Sequence, residues 1–567
     1  YKPLPWLTIS NNFGSDVYNE FRKLVTRPGT AGQLQGNFFQ ANIYNRIINN
    51  DFIVTADKRV TNDLAIRAIA GVNNFETSYR RDLSDAQQLT VDQLYTFSNA
   101  ASITTTNTSN MRRIIGVFGE IGLSYKNFLF LNATGRNDWS SALPVENQSY
   151  FYPSVSSSFV FSELWRPSFL SYGKVRASWA NVGSDTDPYQ LAFNYTAVSQ
   201  IFAQYGQGSQ FPFGGVLGFS VPITIPNAQL KPQNQQSYEA GIDLRFFRER
   251  ARIDFTWYHT KTEDQIIALA LPQSTGFATK RMNAGAIKNV GIELTIGGRP
   301  VNTRHFSWDV DVNFSKNRQT VEDLPAAVTQ YTLASAYSGL QIRARNGEQI
   351  GMWGTAFERD PDGNFVMNAN NGLRRPLTDQ RLGNVYPDWT MGINNSVTYR
   401  GLTLGFLVDI RQGGVMYSGT VGALRSTGLA KETAINRDKI IIDKGVIFDA
   451  ATNKYIANTV PVQSMQDYWS QFGGSTISES TVFDASYVKL REVVLNYALP
   501  SAWFQSRRFI KGISFGLEGR NLWLIHAKVP HIDPEVNLFG TSSVGEGVEF
   551  YNMPSTRSFG LNLRATF

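Results

Sequence analysis

Two histidines near the carboxyl end of the chain lie close enough together to be candidate metal ligands. His526 and His531 are followed by Asp533 and Glu535, and imidazole nitrogens and carboxylate oxygens are common zinc ligands. The chain has no cysteine, which excludes a thiolate site and a cysteine nucleophile. The alternative is that these residues belong to a loop after a strand that ends near Trp523. That alternative is favoured, and the sequence predicts neither a metal site nor a cofactor.

A second oxygen-rich stretch resembles the start of a calcium loop. Asp360, Asp362 and Asn364 alternate with other residues, as the first ligands of such loops do. However, Gly363 is misplaced and no glutamate follows at the bidentate position. An Asp-Gly pair is a strong hairpin-turn signal, so Asp362 and Gly363 are predicted to form a turn within a loop.

Neither catalysis nor nucleic-acid binding is indicated. The chain contains no nucleophile elbow, no phosphate-binding loop and no zinc-protease motif, and no pair of carboxylates stands out as acid and base. The net charge is +7, but the basic residues are scattered. Their densest cluster, Arg245, Arg248, Arg250 and Arg252, lies at a probable hairpin. The protein is therefore predicted to be neither an enzyme nor a partner of nucleic acid.

The strands that would position such residues are best seen in the last eleven residues. Phe559, Leu561, Leu563, Ala565 and Phe567 alternate with small or polar residues, and successive side chains of a strand point to opposite faces. The apolar face could meet a second sheet in a soluble sandwich or propeller. It could instead meet lipid in a transmembrane barrel whose polar face lines a lumen.

The same alternation recurs along the chain and predicts about sixteen strands of roughly ten residues or more, long enough to cross an apolar band about 25 Å tall. In the strand 487–499 the apolar face changes parity, which predicts a β-bulge near Arg491 and Glu492. The predicted strands lie near residues 4–19, 43–57, 63–79, 110–125, 128–138, 152–162, 173–182, 237–246, 252–258, 286–299, 306–317, 387–400, 402–411, 487–499, 514–523 and 557–567.

The connections between these strands alternate in length, which favours the barrel over the sandwich. Outer-membrane barrels have short periplasmic turns and long extracellular loops. The charged residues of the most regular strands share the polar face. The chain has no run of about 18 apolar residues, so no membrane-spanning helix is predicted. Short turns are predicted near 58–62, 126–127, 166–172, 248–250, 299–304 and 400–401. Long loops are predicted at 80–109, 184–233, 318–386, 415–483 and 524–554.

Several segments resemble the SusC/RagA family of TonB-dependent outer-membrane transporters. They extend over nearly the whole chain in family order, and they mark strands and turns rather than a catalytic site. The segments are 135–140 (GRNDWS), 150–161 (YFYPSVSSSFVF), 174–183 (KVRASWANVG), 289–291 (NVG), 384–392 (NVYPDWTMG), 487–500 (YVKLREVVLNYALP), 518–522 (EGRNL) and 554–567.

The resemblance implies an all-β transmembrane barrel of about 22 strands with a plugged lumen. It also implies a SusD-like surface lipoprotein as a lid, and energisation by the TonB complex. Residues 1–567 are then expected to form the barrel portion with long extracellular loops. The amino-terminal plug and the first strands are expected to lie outside this chain, which begins at Tyr1 without a signal segment. The strand carrying Phe559, Leu561, Leu563 and Phe567 is expected to close the barrel.

Aromatic residues in the long loops admit two interpretations. Trp353, Tyr417, Trp469 and Phe472 could stack on sugar rings or hold peptide side chains. They could equally form small cores that keep the loops ordered. The core interpretation is favoured for each residue, although the loops together are expected to touch the substrate or the lid.

The leading functional hypothesis is an outer-membrane subunit for TonB-dependent uptake of oligosaccharides or peptides. Its expected partners are the lid lipoprotein, the TonB complex, the plug-bearing half of the barrel, outer-membrane lipid and the transported glycan or peptide. The main alternative is a passive porin of about sixteen strands. A third hypothesis is an adhesin or enzyme carried on a barrel. It requires a compact folded unit with convergent polar groups in 318–386 or 415–483, and the sequence shows no sign of one.

Overall fold

A computed structural model describes residues 1–198, 211–326, 328–336, 339–474, 476–504, 509–538 and 546–567 of the chain. Sixteen strands follow one another in chain order in a single sheet, and every pair of neighbours whose register is described is antiparallel. These strands are β1 (Leu7–Thr26), β2 (Asn37–Arg59), β3 (Leu64–Leu89), β4 (Ala100–Tyr125), β5 (Leu129–Ser140), β6 (Ser149–Phe159), β7 (Leu170–Ser184), β8 (Gln233–Phe246), β9 (Ala251–Glu263), β10 (Ala286–Asn302), β11 (Phe306–Glu322), β12 (Trp389–Tyr399), β13 (Leu402–Gln412), β14 (Tyr487–Ala498), β15 (Gly512–Ala527) and β16 (Ser558–Thr566).

The sixteen predicted strands correspond one to one with these, so the fold class and the strand count are confirmed. One predicted loop is wrong. Residues 80–109 are mostly strand, because β3 continues to Leu89 and β4 begins at Ala100. Asp82 faces Asn107 across this ladder, and the amide of Asn107 donates to the carboxylate at 2.7 Å. Main-chain hydrogen bonds between strands form without apolar side chains. A hairpin of polar residues therefore shows no apolar–polar alternation in its sequence.

Tight turns connect β4 to β5 and β12 to β13, as predicted. Lys126 and Asn127 have φ values of 46° and 56°, and Arg400 and Gly401 have 46° and 87°. Consecutive residues with positive φ match the right-handed twist of the two strands and hold them close. All long connections join an odd-numbered strand to the next even-numbered one, and the parts at 199–210 and 539–545 lie outside the described residues.

The predicted bulge in β14 is confirmed. Opposite β13 the register passes directly from Leu490 to Glu492 between Val408 and Leu407, so Arg491 is the extra residue. The register against β15 is also irregular at this point, where Asn521 and Leu522 lie opposite Arg491. An extra residue reverses the parity of everything that follows it. The apolar face of β14 therefore continues through Val493 and Leu495 without a charged residue on it.

The chain divides into two compact units. The first contains residues 1–159, 177–238 and 262–284. Its extended tip carries a small core in which Phe38, Ala86 and Leu89 are buried against Phe97 and neighbouring residues. The second contains residues 160–176, 239–261 and 285–567, and most of the long connections belong to it.

An exposed apolar row crosses six neighbouring strands of the second unit. Its members face one another directly in the registers of β11 to β16. Leu517 is 54% exposed and Leu561 85% exposed, although both are aliphatic. A contiguous apolar row open to the outside is the side that lipid covers in a transmembrane barrel. The row is Trp308, Val397, Leu404, Leu495, Leu517 and Leu561.

The first unit has the same two-faced organisation. Phe52, Val72 and Val117 face one another across β2, β3 and β4, and all three are exposed. Asp51 and Asn73, which are adjacent in the chain to Phe52 and Val72, face each other on the opposite side of the sheet, which carries polar groups. In the described part of the chain, no helix has the length and apolar character needed to span a bilayer.

The long connections carry their own secondary structure. Two short helices, α1 (Gly419–Ser426) and α2 (Met465–Ser470), lie in the connection from β13 to β14. A four-stranded sheet lies in the connection from β11 to β12. The short strands of the connections are Thr196–Val198, Gly218–Ser220, Thr224–Ile225, Ile266–Ala270, Thr279–Asn283, Gln330–Ser335, Gln341–Arg345, Gly351–Phe357, Pro376–Asn384, Val415–Ser418, Val446–Asp449, Lys454–Ala457, Val482–Asp484 and Val548–Glu549.

A charge placed in the middle of the apolar row should destabilise the protein. Leu495→Arg is expected to lower the free energy of unfolding in lipid by about 2–4 kcal/mol, because the guanidinium would face acyl chains. Asn496→Arg is the matched control, since it adds the same charge one residue away on the opposite face. Denaturant unfolding in liposomes measures both. Equal losses for the two variants would contradict the assignment of the faces.

Candidate functional site

The polar face of the first unit carries a compact ionic cluster built from two of the family-like segments. Arg136 donates from Nε to Asp138 Oδ1 at 2.7 Å and from Nη2 to Asn73 Oδ1 at 3.0 Å. The hydroxyl of Tyr152 donates to the other oxygen of Asp138. Asp138 is only 6% exposed, so these partners satisfy a carboxylate that has little contact with water.

Glycines make room for this cluster. A Cβ on Gly116 would lie 2.3 Å from Asp138 Oδ1, and one on Gly71 would lie 2.4 Å from the ring of Phe118. Phe118 thus lies on the polar face of β4, where its ring packs against Gly71. The Arg136 guanidinium lies 5.8 Å from the centre of the same ring, within range of a cation–π interaction.

A concavity of about 490 Å³ opens beside the cluster. Its lining combines the charged groups of Glu120 and Arg136 with the hydroxyls of Thr134 and Tyr152. Such a wall can exchange hydrogen bonds with a hydrated solute as the solute moves past. The lining is therefore polar and charged.

A second ionic cluster joins the polar face of β14 to the connection between β15 and β16. Lys489 is 5% exposed and donates from Nζ to Asp533 and to Glu535 Oε2 at 2.6 Å. The bulged residue Arg491 donates to Glu535 at 2.5 Å and to Asp409 at 3.1 Å. Two cations and three carboxylates therefore hold this connection against the sheet.

These contacts show where the candidate metal ligands lie. His526 is within β15 rather than after it, because that strand extends to Ala527. His531 lies 3.4 Å from Glu432. Asp533 and Glu535 instead accept hydrogen bonds from Lys489. Among the described residues, no group of three or more histidines and carboxylates is arranged to hold a metal ion.

The charged partners change the acidity of both carboxylates. Burial raises the pKa of Glu535, but hydrogen bonds from Arg491 and Lys489 outweigh it and lower the pKa to about 2. The pKa of Asp533 is likewise lowered: burial acts against this, and the bond from Lys489 prevails. Both groups are therefore ionised at neutral pH, as an anchor made of ion pairs requires.

The predicted turn at Asp362 and Gly363 is confirmed. Asp360 Oδ1 accepts from the backbone N–H of Asp362 at 3.0 Å and of Asn364 at 2.8 Å. Gly363 has a φ of 85°, which favours glycine. Hydrogen bonds, above all from the side chain of Asn364, lower the pKa of Asp360. The carboxylate thus closes the turn together with the main-chain bond from the N–H of Gly363 to the carbonyl of Asp360 at 3.0 Å.

The long connections share a core, which supports the core interpretation of their aromatic residues. Trp353 is 6% exposed and Tyr417 is 2% exposed. Tyr417 packs with Leu340, Met352 and other buried residues from three connections. Phe472 lies with Phe357 at a centroid distance of 5.9 Å. The sequence showed no folded unit in these segments, and the structure contains one.

A buried carboxylate joins two of these connections. Glu549 is 1% exposed and accepts from Ser418 Oγ at 2.6 Å and from Thr420 Oγ1 at 2.5 Å. Ser418 caps α1, so the negative charge lies at the amino end of that helix, where it is favoured. Sequence analysis missed Glu549 and Lys489 because their partners are distant in the chain. It gave no role to Arg136, which contacts both the nearby Asp138 and the distant Asn73.

The terminal strand lies at one end of the sheet. β16 pairs with β15 along one edge, and it is the last strand in the sheet order. Its apolar residues are the most exposed of their row, with Phe559 at 78%, Leu563 at 69% and the adjoining Phe567 at 74%. Among the described residues no strand pairs with the other edge of β16, and such an edge can pair with a further strand.

Removing the buried lysine should release the connection from β15 to β16. Lys489→Met is expected to lower the free energy of unfolding by about 3 kcal/mol, because Asp533 and Glu535 would keep their charges without this partner. Lys528→Met is the matched control: its pair with Asp484 is 2.7 Å long but largely exposed and should contribute less than about 1 kcal/mol. Limited proteolysis between 528 and 557, with denaturant unfolding, distinguishes the two. Equal protease sensitivity would argue against the anchor.

Acid should release the same connection. A carboxylate whose pKa is lowered on folding stabilises the folded state above its unfolded pKa and loses this effect as the pH falls through its folded pKa. For Glu535 the window runs from its ordinary value of 4.5 down to about 2. Hydrogen exchange of the connection, corrected for intrinsic rates, should increase across this window. Glu535→Gln should flatten the transition, and an unchanged profile in that variant would refute the assignment.

Comparison with known proteins gives a consistent family assignment. A family model described as TonB dependent receptor-like, beta-barrel matches residues 3–522. TonB-dependent receptor P3 of Formosa agariphila is 25% identical over 489 residues, which is 81% of this chain and 46% of the relative. TonB-dependent receptor SusC of Bacteroides thetaiotaomicron is 27% identical over 220 residues, 37% of this chain and 21% of the relative. The chain spans about half the length of the Formosa relative.

Solved structures share the fold. The RagAB peptide transporter superposes with a TM-score of 0.77 and 17% identity, covering 100% of this chain and 60% of that one. The RagAB peptide importer in its open-open state superposes with a TM-score of 0.75 and 18% identity. The superposition covers 100% of this chain and 60% of that one. The sixteen-stranded sheet, its two faces and the family match agree, and the chain belongs to the TonB-dependent receptor-like β-barrel family of the outer membrane.

Proposed function

We propose that this chain is the barrel portion of an outer-membrane importer that takes up oligosaccharides or peptides with energy delivered through TonB. The observation that carries the proposal is the division of each unit into an exposed apolar face and a charged, hydrogen-bonded face. Such a sheet provides a hydrophilic route through lipid. The folded connections then provide the surface that meets nutrients outside the cell.

The free edge of β16 supports a larger barrel than sixteen strands. In this proposal the strand carrying Phe559, Leu561, Leu563 and Phe567 closes a barrel of about 22 strands by pairing with strands that are not among residues 1–567. A plug from the same missing part gates the lumen. An unpaired strand edge inside a bilayer is unfavourable, because lipid offers no hydrogen bonds.

The relatives' names support the proposed partners. One relative is named SusC, and two solved neighbours are described as RagAB peptide transporters or importers. By analogy, a SusD-like lipoprotein covers the long connections, and the TonB complex acts through the plug. The shared core of the connections gives such a lid a firm surface. Side-chain chemistry is not needed for translocation in this scheme, so no enzymatic role is proposed.

A passive porin is the second candidate, because sixteen strands is a common porin size. The two functions differ in their need for energy. Cells that produce the full-length protein should accumulate a labelled oligosaccharide or oligopeptide only when TonB is active. Uptake that persists in a tonB deletion, together with steady ion conductance in planar bilayers, would establish the porin and overturn the importer.

A further inference from the structure

A cavity of about 680 Å³ lies in the connection between β13 and β14. It is lined by the last turn of α1, the segment after it and α2. Arg425, Thr427, Arg437, Met465, Gln466 and Trp469 contribute side chains. The volume is in the range of small-molecule sites, and neither the ionic cluster of the first unit nor the anchor at Lys489 contributes to it.

Arg437 is held in place by main-chain oxygens rather than by an acid. Its Nε donates to the carbonyl of Thr433 at 3.0 Å, and its Nη2 donates to the carbonyl of Gly428. No carboxylate among the described residues pairs with this guanidinium. Its full positive charge is therefore fixed beside the cavity, and the entropy of ordering the side chain is already lost before a ligand arrives.

The second guanidinium, that of Arg425, is already paired with an acid. Arg425 donates to Glu432 at 3.0 Å and to the carbonyl of Ser480 at 2.8 Å. Glu432 is shared, since His531 lies 3.4 Å from its other oxygen. None of the described residues that line the cavity is acidic. An anionic group in the cavity would therefore interact mainly with the guanidinium of Arg437, because the charge of Arg425 is compensated by Glu432.

The remaining lining suits a sugar ring. Trp469 is held by Tyr468 at 5.4 Å and by Phe472 at 5.6 Å between ring centres, which fixes a flat aromatic side chain beside hydroxyl and amide groups. A peptide backbone is usually held by a strand edge or by a groove for a helix. None of the residues that line this cavity belongs to a strand.

From this arrangement we infer that the cavity binds a carboxylate-bearing sugar unit, with Arg437 as the main ligand for the carboxylate. The inference rests on the proposed function and narrows it, because it assigns acidic oligosaccharides as the substrate class. Guanidinium groups bind carboxylates through paired, charge-assisted hydrogen bonds, and the ring would lie against Trp469. Neutral oligosaccharides lack the group that the fixed charge recognises.

Calorimetry on the full-length protein in detergent micelles tests the inference with three probes of equal length: trigalacturonate, maltotriose and triglutamate. Trigalacturonate should bind, and maltotriose should bind at least tenfold more weakly. Arg437→Gln should weaken trigalacturonate binding by about 10- to 100-fold, and Arg437→Lys should recover part of the loss. Lys439→Gln is the matched control, since it removes one charge from the same connection outside the lining and should change binding less than about threefold.

The outcomes separate the site from the transport function. Equal binding of trigalacturonate and maltotriose, or equal effects of Arg437→Gln and Lys439→Gln, would overturn the site. Equal or tighter binding of triglutamate would overturn the sugar assignment in favour of an acidic peptide. TonB-dependent uptake of neutral oligomers without trigalacturonate binding would leave the importer intact and refute the site. Trigalacturonate binding that is lost in Arg437→Gln, without any TonB-dependent uptake, would support the site and refute the importer.

Discussion

Acyl chains accept and donate no hydrogen bonds, and this single restriction organises the molecule. Each strand that crosses lipid must satisfy its peptide groups on its neighbours, so the sheet runs in chain order without interruption. Because register decides which side chains face outward, the alternation of each strand must be kept in phase with the next. The bulge at Arg491 restores that phase in β14 and at the same time directs a cation into the cluster with Asp409 and Glu535.

The polar face holds many charges close together, and short ion pairs such as that of Arg136 with Asp138 stabilise them. On this face large and small residues are matched across strands, as with Phe118 over Gly71 and Asp138 over Gly116. The ion pairs that result are short and local. Such a face remains hydrophilic without binding any one solute strongly, which suits the passage of solutes more than their retention.

Sequence alternation was sufficient for the strand count, the tight turns and the bulge, because each is a property of neighbouring residues. It failed at 80–109, where a hairpin with polar residues on both faces has no apolar period to detect. It also failed in the long connections. Tyr417 and Met352 are buried in one core, but no local pattern brings together segments that lie so far apart in the chain. The residues of the cavity at Arg437 are placed by that same tertiary packing, so their types alone gave no signal.

The buried carboxylate of Glu549 has a consequence for protein engineering. It belongs to the connection from β15 to β16, yet its hydrogen-bond partners Ser418 and Thr420 belong to the one from β13 to β14. Grafting either segment alone onto a relative would leave a buried acid or a helix cap without its counterpart. Chimaeras that exchange surface segments should therefore fold correctly only when both connections are transplanted together. Natural diversification of this surface is expected to change both connections together.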